Sequence, residues 1–276
     1  MWYVKKVFNN NVVLIEEDNK EKVIFGKGIG FGKKIGEMIG RENVDKIFSI
    51  EDNQNGKNFR NLISYADSNV VGMCEEAIYM IERELNESLD EKIHISLTDH
   101  IALTLKRLKE DKEIHNPFLV ETETLYKREF DIAKKVARFI EKTMKVEIPD
   151  GEIGFITLHI HSARNEGKLS NTIKYTFLGN SIVEYIEDTL DIYIDRQSLD
   201  YARFLTHVRF AIERVMANNM VKNELLDVIK NTYKESFKIA KGVAKIIEED
   251  VDMRILEDEI AYLALHVERL KNSSNK

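Results

Sequence analysis

The sequence predicts a multidomain fold: a small antiparallel β domain followed by two homologous all-α helical-bundle domains. Three observations predict it. The first fifty residues alternate β-branched and aromatic residues with Asn- and Gly-rich turns. The remainder is rich in Leu, Ile, Glu and Lys and holds the two prolines, Pro117 and Pro149, which favours long helices. Within that remainder the chain repeats itself at one fixed shift. The expected domains are 1–56, 65–168 and 172–276, with boundaries near Asp52–Asn58 and Asn165–Thr172, both polar and glycine-bearing.

The 276 residues are 43% hydrophobic and 32% charged, which excludes a disordered chain. A single cysteine, Cys74, excludes an internal disulfide and reads as a small core filler. No apolar run reaches the ~18 residues that a spanning helix needs. Met1-Trp2-Tyr3-Val4-Lys5-Lys6 reads as a strand rather than a basic-then-apolar leader, so a cytoplasmic location is expected. The net charge of −7 is uneven: residues 1–35 carry +3, and the rest therefore −10. A basic head on an acidic body directs any polyanion to the head.

In the head, Trp2 to Phe8 reads as a first strand and Asn9-Asn10-Asn11 as a tight turn, since Asn tolerates the left-handed conformation. Val12 to Ile15 and Lys22 to Phe25 are the next strands, separated by a turn at Asp18-Asn19, and Ile47 to Ile50 is a fourth. Four short strands bury little core, so the head is expected to dimerise or to lean on a partner.

The stretch Gly26-Lys27-Gly28-Ile29-Gly30-Phe31-Gly32-Lys33-Lys34 fails both nucleotide motifs. A Walker loop would need Gly where Lys27 stands and Ser or Thr where Lys34 stands. The dinucleotide pattern fails because Phe31, Lys33 or Ile35 occupies its last glycine. What is left is glycine for close approach, lysine for phosphate, an aromatic ring for stacking on a base and asparagine for a base edge. The same residues also fit a hairpin whose Phe31 plugs the small core, and chemistry alone leaves the two open.

In the body a shift of 107 residues places His100 on His207, Arg107 on Arg214 and Glu152–His159 on Glu259–His266. It also places Tyr126, Phe130, Ala133, Val136 and Ile140 on Tyr233, Phe237, Ala240, Val243 and Ile247, without a gap. Apolar spacings of three and four make these segments amphipathic helices, and Asp150 after Pro149 is the expected cap of the helix carrying His159. Each repeat thus holds two histidines 59 residues apart. His159 and His161 form a His-x-His pair, but residues two apart on a helix diverge, and Glu268 replaces the second histidine in the other repeat. No ligand set completes a metal site, and no nucleophile signature points to hydrolysis. A neutral imidazole nitrogen can instead accept a phosphoryl group reversibly. His94 and His115 lack partners at this shift and read as surface or loop residues. Glu257, Asp258 and Glu259 read as a solvated face.

At these residues the chain resembles the BglG/SacY family of transcription antiterminators, over essentially its whole length. Lys5-Lys6-Val7-Phe8-Asn9-Asn10-Asn11-Val12 and the glycine loop are similar to that family's co-antiterminator RNA-binding domain. The repeats are similar to its two PTS regulation domains. The resemblance implies a homodimeric head that binds a leader-RNA hairpin and excludes an overlapping terminator in a sugar-utilisation operon. It implies RNA contacts at Lys5, Asn10, Gly26, Lys27 and Phe31, with Gly28 and Gly30 shaping the loop. Lys27 stands where the family commonly has Arg, which keeps the charge and loses the bidentate fork. It also implies phosphorylation of His100, His159, His207 and His266, with HPr and the cognate sugar permease (enzyme II) as partners. No enzyme activity, cofactor, metal or membrane insertion is expected.

Arg107 and Arg214 are the expected neighbours of a phosphoryl group, and phosphorylation is expected to shift a monomer–dimer balance. The resemblance leaves aryl-β-glucoside, sucrose and glucose operons open, with a lean to β-glucosides. The rival expectation is a PTS-regulated DNA-binding activator, which would need a helix-turn-helix at the N-terminus.

Overall fold

A computed structural model of the chain describes residues 2–18, 20–49, 53–165, 169–219 and 221–274. Asn19, Ile50, Asp52 and residues 166–168, which carry parts of the expected turn, strand and boundaries, lie outside the described residues. The chain divides into two compact units: residues 1–117 with 128–169, and residues 118–127 with 170–276.

The first unit begins with strands β1 (Trp2–Val7), β2 (Val12–Glu17), β3 (Lys20–Phe25), β4 (Met38–Ile39) and β5 (Lys46–Ser49). They form one antiparallel sheet in the order β4-β1-β2-β3-β5. The three long hairpin strands follow the β-branched runs. The two-residue β4 has no such run behind it and was not among the expected strands. The pairing of β1 with β2 shifts register between Val4 and Lys6, so Lys5 stands at a bulge. Among the described residues before residue 50 there is no helix, and hence no helix-turn-helix.

Alternation gives the sheet two apolar faces. Trp2, Val4, Val13, Ile15 and Ile24 pack under Ile29 and Ile39 on one side. Phe8, Val12, Leu14, Val23 and Phe48 pack on the other against Phe59, Leu62 and Val71. These last three come from helices α1 (Asn53–Tyr65) and α2 (Ser68–Leu85). The head therefore leans on the helices that follow it, and Phe25 meets Tyr79 of α2 with ring centroids 4.3 Å apart. The polar stretch near Asp52–Asn58, expected to be a boundary, runs into α1. Gln54, Lys57 and Asn58 are exposed while Phe59 and Leu62 face the sheet.

The first unit also holds α3 (Ile93–Leu108), α5 (Lys127–Met144) and α6 (Asp150–Arg164). Asp67 caps α2 by accepting from the amides of Asn69 and Val70. At α6 the expected cap is displaced by one residue: Pro149 is the N-cap, and Asp150 opens the helix without a capping bond. His94, expected at the surface or in a loop, is buried on α3. Its Nδ1 lies 2.8 Å from Glu75 Oε2. Burial pushes this ring down, but the Glu75 carboxylate outweighs it and holds His94 above the ordinary histidine value. Cys74 is buried, as expected of a core filler.

The second unit comprises α4 (Leu119–Leu125), α7 (Leu169–Leu190), α8 (Leu199–Met216), α9 (Leu226–Thr232), α10 (Lys234–Val251) and α11 (Glu257–Ser274). Its core is the apolar stripe read from the repeat, with Phe237, Ala240, Val243 and Ile247 meeting Phe204, Val208 and Ala264. Helix α4 precedes this repeat in sequence yet packs on α8. There the buried Tyr201 hydroxyl donates to the buried Glu121 carboxylate. Among the described residues, no helix is long and apolar enough to cross a membrane.

Removing the Tyr201 hydroxyl leaves a carboxylate short of a donor away from water. Tyr201→Phe is expected to cost about 1–3 kcal/mol of unfolding free energy, read as a lower urea midpoint. An unchanged midpoint contradicts the packing of α4 on α8.

Candidate functional site

The duplication brings each histidine pair together. In the first repeat His100 on α3 and His159 on α6 face each other with ring centroids 5.0 Å apart. In the second, His207 on α8 and His266 on α11 stack at 3.9 Å with their planes 22° apart. Each pair sits beside a carboxylate: Glu152 is 1% exposed and Glu259 fully buried. An unpaired buried charge is costly, so each acid is held by an arginine seven residues after the first histidine. Arg107 Nη2 lies 2.7 Å from Glu152, and Arg214 grips Glu259 through Nε at 2.8 Å and Nη2 at 2.6 Å. Glu259 was expected on a solvated face and is instead the anchor of its repeat. Glu257 does lie outward, paired with Lys230 and Lys241.

The surroundings differ between the pairs. His100 Nε2 lies 3.0 Å from Glu152 Oε2, and His159 Nδ1 lies 3.2 Å from the Ser96 hydroxyl. His159 is buried, and burial followed by the neighbouring His100 holds its pKa down at about 3. Burial pushes the Glu152 carboxyl up, but the nearby His100 ring and the bonds from Thr104 and Arg107 outweigh this and hold it below the ordinary value. In the second repeat His207 is exposed at the rim. A cavity of about 220 Å³ opens beside it, lined by both histidines, Arg214, Glu259 and Tyr262. Burial, then His207 and Arg269, lower His266 to about 4; burial, then Arg214 and Arg269, lower His207. All three of these shifted rings favour the neutral form, the one that carries a nucleophilic lone pair. His161 points away from His159 to Glu129, with its Nδ1 2.9 Å from Oε1, as divergence on a helix requires.

In the head the glycine loop and the asparagine turn interlock. Gly26 donates to the Asn11 carbonyl, Gly30 to the Asn10 carbonyl, and Gly28 to the Asn11 side chain. A Cβ at Gly26 would meet the Asn43 oxygen at 2.0 Å, so only glycine fits there. Lys27, Asn10 and Phe31 are thereby held on the surface, with Phe31 74% exposed. Ile29, not Phe31, plugs the small core. Lys5 lies on β1 and pairs with Glu16 at 2.7 Å.

Three features of the site escaped sequence reasoning. The acid at Glu152 and Glu259 was aligned by the shift, and that shared position was its one available signal. Thr104 bonds Glu152, whereas its counterpart Ala211 cannot, a difference that looks like ordinary drift. Glu76 of α2 accepts from Asn9 at 2.7 Å and Asn11 at 3.2 Å, fixing the turn from a distant part of the sequence.

Comparison with known proteins matches a CAT RNA binding domain over residues 2–57 and a PRD domain over residues 75–163 and again over 180–270. The GlcA/glcB genes antiterminator of Staphylococcus carnosus is 32% identical over 280 residues, covering 100% of this chain and 98% of the relative. Protein GlcT of Staphylococcus epidermidis is 34% identical over 270 residues, covering 96% and 95%. The chain belongs to the BglG/SacY family of transcription antiterminators. A crystal structure of GlcT CAT-PRDI is 46% identical, covers 59% of this chain and 98% of that one, and superposes with a TM-score of 0.52. The antiterminator thus combines an RNA-binding CAT domain with two PTS regulation domains. Both histidine pairs fall within the PRD matches, and the glycine loop falls within the CAT match.

The buried histidine sets a pH dependence. Below pH 6.5 the unfolded antiterminator takes up a proton on His159 that the folded chain refuses until about 3. Stability therefore falls as pH drops through that window, by about 1.4 kcal/mol per unit from this residue. His94 is shifted the other way and loses its contribution only as pH rises above 6.5. Urea midpoints between pH 6.5 and 4.5 are expected to fall, and His159→Gln to flatten the slope; an unaltered slope refutes the burial argument.

Proposed function

We propose that this chain is a sugar-responsive transcription antiterminator for a PTS sugar-utilisation operon. Its CAT domain, as a homodimer, binds a leader-RNA hairpin and prevents the overlapping terminator from forming. Phosphorylation of His100, His159, His207 and His266 by HPr and the cognate permease sets whether it does so. The relatives' names, GlcT and GlcA/glcB genes antiterminator, favour a glucose-type operon over the β-glucoside operon expected from the sequence.

One observation carries the RNA reading: the loop 26–32 is locked to the asparagine turn and presents Lys27, Asn10 and Phe31 outward together. A ring left in water on a rigid loop costs apolar burial and has use as a stacking platform for an unpaired base. Lys27 adds a phosphate contact, and Asn10 a donor and acceptor for a base edge. Lys5 requires that the RNA displace Glu16, so its contribution is expected to be the smallest of the set.

The regulatory part of the reading is supported by paired imidazoles next to arginines, with His159, His207 and His266 shifted toward the neutral form. A phosphoryl group brings roughly two negative charges and strong acceptor oxygens, and the arginine at each site has five N–H donors, more than its bonds to the acid use. Enzyme activity is not part of this reading.

The full chain titrated with a leader hairpin, and with its duplex DNA version as control, tests the RNA assignment. Selective RNA binding is expected. Phe31→Ala is expected to cost about 1–3 kcal/mol, the worth of one stacked base. Lys27→Ala is expected to reduce the salt slope by about one. Equal binding of RNA and DNA, indifferent to both substitutions, contradicts it.

A further inference from the structure

The turn that carries Asn10 is shaped by bonds internal to the head. Asn9 Oδ1 accepts from the backbone amides of Asn11 at 2.8 Å and Val12 at 2.9 Å, and Asn11 Oδ1 accepts from the Gly28 amide at 3.0 Å. Only an oxygen can accept from a backbone N–H, so these bonds settle which way each side-chain amide faces. The two Nδ2 groups are left over, and both are directed at one carboxylate. Glu76 of α2 takes Asn9 on Oε1 at 2.7 Å and Asn11 on Oε2 at 3.2 Å.

Glu76 belongs to the first PRD match, whereas both asparagines belong to the CAT match. Helix α2 comes so close to the turn that a Cβ at Gly72 would meet Asn9 Nδ2 at 2.6 Å. Other donors of the head are also taken up by the regulatory helices. Lys6 Nζ donates to the Ile63 carbonyl of α1 at 2.8 Å, and Lys46 Nζ lies 2.9 Å from Glu82 Oε2 of α2. To the asparagine pair a carboxylate offers what an RNA phosphate offers, two oxygens that share a negative charge. The donors are built by the head alone, and the anion they hold comes from the domain that regulates it.

We propose that the side-chain amides of Asn9 and Asn11 form a phosphate-binding site for the RNA backbone, and that Glu76 fills this site while the head rests on α2. A phosphate of the hairpin then has to displace the carboxylate, so the first regulatory domain competes with RNA for the turn. Asn10 and Phe31 remain exposed in the docked state, so docking weakens RNA binding and does not abolish it. The inference rests on the reading of the head as an RNA binder and adds two contacts beside Asn10 and the group that competes for them.

The affinity of the full chain for a leader-RNA hairpin, at one fixed salt concentration, tests this. Glu76→Gln keeps the size of the side chain and removes the charge and one of the two acceptors. It is expected to tighten RNA binding by about tenfold, the scale of one charge-assisted hydrogen bond. Asn11→Asp keeps Oδ1 for the Gly28 amide and loses the donor; in that background Glu76→Gln is expected to gain little. An unaltered or weaker affinity in Glu76→Gln overturns the proposal. A full gain that persists with Asn11→Asp overturns it too, because Glu76 would then act only as a repelling charge. Inorganic phosphate supplies a readout without RNA. Glu76→Ala leaves room between the two amides, and phosphate is expected to shift the side-chain nitrogen-15 resonances of Asn9 and Asn11 saturably in that variant and not in the unaltered chain. If the unaltered chain and every variant fail to bind the hairpin, the RNA reading falls instead. The phosphate titration then decides the site by itself, and absence of the shifts overturns it.

Discussion

A carboxylate sealed from water has to be met by a cation, and in each helical repeat that requirement organises everything near the paired histidines. Glu152 and Glu259 are buried on α6 and α11, two helical turns before His159 and His266. Arg107 and Arg214 reach them from α3 and α8, two turns after His100 and His207. One Arg–Glu bridge therefore ties together the two helices that carry each pair. Substituting the arginine would leave the acid buried and unpaired, which is why the bridge rather than the histidines is the structural element.

The head obeys a different constraint. Its sheet is too small to cover its own faces, so one is closed by the loop bearing Ile29 and the other by α1 and α2. Covering the first face forces the loop to run tightly past Asn9 and Asn43, where glycine alone fits at Gly26 and Gly30. The exposure of Phe31 is the consequence: once Ile29 has taken the inward position, the residue two along in this turn faces out. Glu76 then secures the asparagine turn from α2.

Much of this was legible in the sequence because duplication tests each residue twice. The apolar stripe Phe130, Ala133, Val136, Ala137 and Ile140 reappears in the second repeat, and both copies are buried core. The histidine pairs were found the same way. Features tied to a contact across the sequence were not legible. Helix α1 was hidden by its run of Asn and Gly residues, since its anchoring residues Phe59 and Leu62 gain meaning only beneath the sheet. His94 looked peripheral because the duplication does not repeat it; its place is set by Glu75 on another helix and by the Phe48 ring, 4.4 Å away. Glu259 sat in an acidic run, Glu257-Asp258-Glu259, whose members face different ways on a helix, so composition misassigned the one that turns inward. Two-residue β4 is below the length at which alternation can signal a strand.

The proposed function requires that the paired histidines control what the glycine loop reads. The most direct measurement is the affinity of the full chain for a leader-RNA hairpin, unphosphorylated and after phosphorylation of the four histidines, at one fixed salt concentration. The account predicts a change of about tenfold or more, the usual size of coupling between two linked sites. Equal affinities in the two states would contradict it.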